Sequence, residues 1–202
     1  MKTYAFMDLI GTRDALAAGK AEELLKQFWD FAEFWANHSE VHTDVRRVPT
    51  TCSNGQESPD VQVVTVSDSL LLSTVDECEL TSFFGLAEHL QTYLETKVGA
   101  RFYCIISRGS EVHRPDVGNV TYQSSVEHVH YRHLAGAGTA WADMMEADNK
   151  VQHHKDWRDR YKLYALGIDE RELPQTVVKA DETTIISKWG GATVRVLALL
   201  PA

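Results

Sequence analysis

The chain has 202 residues, 44% of them hydrophobic, enough to bury a sizeable core, and it is read as one domain spanning 1–202. A formal net charge of −9 argues against nucleic acid and anionic membrane as main partners, because phosphate-rich surfaces are held largely by Lys and Arg. Cys52, Cys78 and Cys104 have no CxxC spacing and read as reduced thiols, and no stretch approaches the roughly 20 apolar residues of a membrane helix, so a soluble, cytoplasmic protein is expected.

Tyr4–Ile10 reads as a short buried strand interrupted by Asp8; no small-residue cleavage site follows, so it is not taken as a signal segment. Gly11-Thr12 ends it with a turn residue and a possible helix cap. From about Lys20 to Asn37, Ala21, Leu24, Leu25, Phe28, Ala32 and Trp35 follow helical spacing, and Trp29, Phe31 and Phe34 widen the stripe. Such a helix buries more than one face, either within the subunit or against a second one. Val41–Asp60, with Pro49, Pro59 and Asn54-Gly55, reads as a loop or irregular excursion. Val61–Thr74 reads as a tight hairpin with Asp68 at its tip.

Leu80, Phe83, Ala87, Leu90 and Leu94 mark a second amphipathic helix, closed near Lys97 and Gly99. Arg101–Arg108 reads as a strand ended by Gly109, Asn119–Val129 as another, and Leu134–Glu146 as a glycine-started helix. Lys150–Leu166 is expected as helix or helix plus loop, its charged run Lys155–Lys162 a solvated helix face. Thr176–Ser187 and Thr193–Leu199 read as late strands. The order β-α-ββ-α-β-β-α-β-β is an α+β plan with a ferredoxin-like, split βαβ core.

Asp8 and Asp68 stand out chemically. Each lies at the end of a hydrophobic strand, where a carboxylate is costly unless exposed, paired or metal-bound. If the first strand lies beside the hairpin, the two converge and offer hard oxygen ligands suited to Mg²⁺ or Mn²⁺. A turn-capping Asp8 and an ordinary hairpin-tip Asp68 would account for the same letters.

Phe6-Met7-Asp8-Leu9-Ile10-Gly11-Thr12 resembles the strand-and-turn pattern of class III nucleotidyl cyclases, and Val64-Thr65-Val66-Ser67-Asp68-Ser69 resembles that family's metal-binding hairpin. Ile105-Ile106-Ser107-Arg108-Gly109 and Gly136-Ala137-Gly138-Thr139-Ala140-Trp141-Ala142 are similar, in the right order, to the later strand and the glycine-initiated helix. The resemblance implies a nucleotide cyclase that converts a nucleoside triphosphate to a 3′,5′-cyclic nucleotide and pyrophosphate. Asp8 and Asp68 would be catalytic and, with Ile10, would hold two Mg²⁺ or Mn²⁺ ions. Leu9, Ile10, Gly11, Thr12 and Arg13 would cradle the triphosphate. Because class III sites are built from two cyclase domains, the resemblance also implies a homodimer.

Three positions depart from the pattern. Val64 stands where purine cyclases carry a base-reading Lys or Glu, and Ala140 and Met144 stand where the family carries an Asn and a transition-state Arg. Either the enzyme is inactive, or another cation such as Arg13, Arg108 or Arg132 supplies that charge, or this branch has a different site altogether. The departures and the short chain resemble the free-standing bacterial pyrimidine cyclases of Pycsar antiphage signalling. UTP is slightly preferred over CTP as substrate, and the product would be read by a separate receptor effector. Two competing readings stand beside this one. The first is a catalytically inactive cyclase-like domain that binds nucleotide or a partner. The second is a phosphohydrolase using His128, His130, His133, His153 and His154, although no HExxH or HxHxDH pattern is present. Gly136-Ala137-Gly138 does not make a dinucleotide fingerprint.

Overall fold

The computed structural model describes residues 2–20, 22–26, 61–66, 68–74, 80–99, 101–109, 111–113, 136–154, 156–188 and 190–202. Strand β1 (Lys2–Ile10) is buried from Thr3 through Leu9. A strand covered on both faces carries a continuous apolar run instead of an alternating one, which is why Tyr4–Ile10 reads so plainly in sequence. Gly11, at φ 105, turns the chain into helix α1 (Thr12–Ala17), whose first turn closes with the Ala15 amide donating to the Gly11 carbonyl at 2.8 Å. Residues 22–26 are helical. The remainder of the expected helix to Asn37, its aromatic face and the 41–60 excursion lie outside the described residues.

Strands β2 (Val61–Val66) and β3 (Ser69–Thr74) form the expected hairpin, pairing Val66 with Ser69 across the turn that carries Asp68. Helix α2 (Leu80–Val98) follows, and the Gly99 amide closes it onto the Glu95 carbonyl at 3.0 Å with φ 69. Strand β4 (Arg101–Gly109) then runs antiparallel to β1. Strand β3 flanks β1 on its other side, so β4-β1-β3-β2 is the ferredoxin-like order expected, here antiparallel throughout.

Three more strands extend this core beyond β4. Strand β7 (Leu163–Leu166) pairs parallel with β4, and β8 (Val177–Ile186) and β9 (Thr193–Pro201) form an antiparallel pair docked through β9 on β7. The seven-stranded order is β2-β3-β1-β4-β7-β9-β8. The late strands occupy the places read from sequence. Residues 150–166 differ from the expected helix, dividing among the end of α3 (Thr139–His153), the short α4 (Trp157–Arg160) and β7.

Gly136–Gly138 is not a helix start. It forms a short strand, β6, antiparallel to β5 (Glu111–His113), and α3 begins only at Thr139 and outlasts Glu146 by two turns. The expected strand Asn119–Val129 lies outside the described residues, as do Cys52, Cys78, Arg132, His128, His130 and His133.

The sheet separates two apolar layers. Ala5, Met7 and Leu9 of β1 pack with Phe83, Phe84 and Ala87 of α2, while Tyr4 and Phe6 pack with Ala140, Met144, Ala147 and Val151 of α3 and with Trp157 of α4. The second layer is pinned by Trp157, which stacks on Tyr164 at 5.8 Å and donates its indole N–H to Asp181 at 3.0 Å. Cys104 is buried and free, its thiol pushed up by burial, as suits a reduced core residue.

Candidate functional site

The register of β1 sets the site. Asp8 lies opposite Ser69 on β3 and Tyr103 on β4, and the Leu9 amide donates to the Asp68 carbonyl at 3.2 Å, clamping the hairpin turn to the end of β1. The two aspartates expected from sequence are therefore brought to one place. Asp8 is only 8% exposed, whereas Asp68 is partly buried at the turn.

Both oxygens of Asp8 are held. Ser69 Oγ donates to Oδ1 at 2.5 Å and Tyr103 Oη to Oδ2 at 3.1 Å. Tyr103 Oη also reaches Asp148 of α3, so its single proton is shared between the two carboxylates, and both Asp148 oxygens accept from Gln152 Nε2 at 3.2 and 3.1 Å. Burial raises the Asp8 carboxyl from its ordinary 3.8 to about 7; the Ser69 bond opposes this, and the nearby negative charges of Asp148 and Asp68 add to it. Asp148 is raised too, chiefly by burial, and the Tyr103 phenol is pushed far up by burial and by the two carboxylates it touches.

These groups line a pocket of about 930 Å³, within the range of small-molecule sites. Leu9, Ile10, Gly11 and Thr12 form its rim at the β1–α1 turn, as the sequence suggests, and Phe6 and Leu71 form an apolar wall. The side chains of Arg13 and Val64 lie outside the described ones; the Val64 backbone pairs with pocket-lining Leu71.

Helix α3 turns a different stripe to the pocket. Ala140 and Met144, matched above to the family Asn and Arg, are buried at 2% and 0% and pack into the core. The face turned to the pocket is Trp141, Met145, Asp148 and Gln152, at the spacing of one helical stripe. Arg108 does not line the pocket of this subunit. It pairs with Glu172 at 3.4 Å and stands roughly 16 Å along β4 from Tyr103 at about 3.3 Å per residue. Among the described residues, Arg158 of α4 is the guanidinium that lines the pocket, exposed and in no ion pair.

Sequence reading missed Ser69, Tyr103, Asp148, Gln152 and Arg158. Of the histidines, His153 stands at the pocket rim and His154 packs against Trp157 at 4.9 Å.

The donor set suits a hard divalent cation. The Asp8 and Asp68 carboxylates and the Ile10 carbonyl would be its oxygen ligands, and the Asp8 carboxyl, raised chiefly by burial and further by the Asp148 and Asp68 charges, has no cation among the causes of its shift. Among the described residues no three His, Cys, Asp or Glu are grouped as a metal cage, so the protein would supply only part of a coordination shell. Mg²⁺ is commonly held in this way, by one or two carboxylates plus substrate phosphates.

No family model and no curated protein sequence matches the chain. Solved structures do. The guanylyl cyclase Cya2 aligns over 98% of this chain and 90% of its own, with a TM-score of 0.52 and 9% identity. The guanylate cyclase domain of RhGC from Catenaria anguillulae, determined in complex with GTP, aligns over 100% of this chain and 97% of its own, with a TM-score of 0.51 and 9% identity. The chain thus has the α+β fold of guanylyl cyclase catalytic domains.

Proposed function

We propose that this chain is a nucleotide cyclase that closes a pyrimidine nucleoside triphosphate to its 3′,5′-cyclic monophosphate with release of pyrophosphate. The observation that supports this most is the meeting of Asp8 and Asp68 at the end of β1, on a guanylyl cyclase fold. In the reaction the ribose 3′-oxygen bonds the α-phosphorus, the α–β bridging oxygen leaves with pyrophosphate, and the hydroxyl proton passes to water.

Asp8, Asp68 and the Ile10 carbonyl are the groups that would hold Mg²⁺ or Mn²⁺. When bound, the ions neutralise phosphate charge and acidify the 3′-hydroxyl. The chain's own part is positional. Ser69 and Tyr103 fix the Asp8 carboxylate, and the Gly11–Thr12 turn, beyond the Leu9 amide that clamps Asp68, offers main-chain N–H groups to the triphosphate. Arg158 supplies positive charge, and Phe6, Leu71 and Trp141 give ribose and base an apolar wall.

With the pyrimidine reading go the remaining expectations: one catalytic domain over 1–202, a homodimer with composite sites, a cytoplasmic location, and a product read by a separate effector in antiphage signalling. None of the helices among the described residues is long and apolar enough to cross a membrane. A second reading, a nucleotide-binding domain without turnover, is favoured by one observation: both Asp8 oxygens are already engaged by Ser69 and Tyr103.

The test is incubation with ATP, GTP, CTP and UTP separately in Mn²⁺, with products resolved by chromatography and mass. A single cyclic pyrimidine nucleotide supports the proposal. A cyclic purine overturns the base assignment, and binding of a nucleotide without product supports the second reading.

A further inference from the structure

A second cleft, of about 330 Å³, lies where the C-terminal half of α2 meets the starts of β4 and β7 and the end of β9. It is separate from the Asp8 pocket, and no residue lines both. In a chain of net charge −9, three cations from two segments, Arg101 at the start of β4 and Arg160 and Lys162 at and just beyond the end of α4, border this one space.

Their charges are unequally compensated. Lys162 pairs with Glu95 at 2.6 Å, and Glu95 also accepts from the Phe102 amide at 3.0 Å, so that carboxylate is fully engaged. Arg101 donates to a neutral main-chain carbonyl, that of Asp159, at 3.1 Å. The Arg160 guanidinium stands 5.7 Å from the centre of the Tyr161 ring. Among the described residues neither arginine has a carboxylate partner, so both orient uncompensated positive charge.

The floor carries a second, independent sign. Gln91, 94% buried by its 6% exposure, spends its amide N–H groups on the Phe102 and Lys162 carbonyls at 2.7 and 3.1 Å. Its carboxamide oxygen takes no hydrogen bond among the described residues, leaving an acceptor at the cleft. Glu88 lines the same space, and burial raises its carboxyl.

We propose that this cleft binds a small phosphate-bearing ligand, with Arg101 and Arg160 on the anion and the Gln91 oxygen accepting from an O–H of the same ligand. Guanidinium groups suit phosphate because they match its oxygens with paired donors. Protonated inorganic phosphate carries both features and is the smallest probe.

Inorganic phosphate is titrated by calorimetry at low salt into wild type, the Arg101→Gln/Arg160→Gln double variant and Asp68→Asn. The expected result is saturable binding at one site in wild type, at least tenfold weaker in the double variant and unchanged in Asp68→Asn. Both arginines are exposed, and circular dichroism checks that the double variant is folded. Absence of saturable binding, equal binding in the double variant, or loss in Asp68→Asn would overturn the proposal. None of these readouts requires cyclase turnover, so failure here leaves the function proposed above standing.

Discussion

Asp8 is a carboxyl whose burial opposes its charge, so neutralising it should stabilise the metal-free protein. Its pKa is 3.8 ordinarily and about 7 in the fold. The folded state then holds a proton that the unfolded state has lost between those pH values. The associated stability is complete below about pH 4 and disappears as pH rises through 7. At about 1.4 kcal/mol per tenfold change in proton affinity, the loss is roughly 4 kcal/mol. Asp8→Asn keeps the shape, and the carboxamide oxygen still accepts a hydrogen bond, but the charge is gone. In EDTA at pH 8 the variant should exceed wild type by roughly 3–4 kcal/mol in urea unfolding, or roughly 6–15 °C in Tm for a chain of this size. At pH 4 the two should coincide. Adding Mn²⁺ at pH 8 should raise wild type and leave the variant unmoved, because ligand binding stabilises only the form that binds. A wild type equally stable at pH 5 and pH 8, with Asp8→Asn no more stable at pH 8, would refute the reasoning.

Other outcomes follow from single contacts. Gly109→Ala would bring a Cβ within 2.5 Å of the Ala140 Cβ, so β4 and α3 must separate, costing about 1–3 kcal/mol; Ala140→Gly in the same chain should recover most of this in thermal unfolding. Gln91→Leu removes the 2.7 Å bond to the Phe102 carbonyl and one of two donors at the Lys162 carbonyl, which also accepts from the Cys104 amide at 2.8 Å, and should cost about 1–2 kcal/mol in urea unfolding. Arg158→Ala should leave Tm within a degree or two, because the residue is exposed, while lowering cyclisation about 10- to 100-fold; unchanged turnover would remove Arg158 from the site.

The sequence is legible where one residue type has one physical meaning. Asp8 shows because a carboxylate interrupts a strand buried on both faces, and Asp68 because Ser67-Asp68 separates two β-branched or leucine runs. Their convergence is also readable, since the split βαβ order puts the hairpin beside β1. Tyr103 is not readable: within Arg101–Gly109 it resembles any core aromatic, and only the pairing with Asp8 reveals its hydroxyl. Asp148 and Gln152 are hidden differently, in a helix whose polar letters suggest a solvated face.

The onset of α3 is misread for a physical reason. Gly136-Ala137-Gly138 invites a helix start, but its backbone pairs with Glu111–His113, far back in the chain, and that pairing moves the helix onset to Thr139. The stripe that lines the pocket carries Trp141 and Met145, while Ala140 and Met144 pack into the core. Strand β7 is missed because four residues, Leu163–Leu166, follow a charged run and are extended only by the strands on either side.

The central claim is that Asp8 and Asp68 together form the cyclising centre. The most direct test is single-turnover conversion of the preferred triphosphate in Mn²⁺ by wild type, Asp8→Asn and Asp68→Asn, each first shown to be folded by circular dichroism. The account predicts cyclic product from wild type and a loss of at least a hundredfold in both variants; wild-type rates of cyclisation in either folded variant would contradict it.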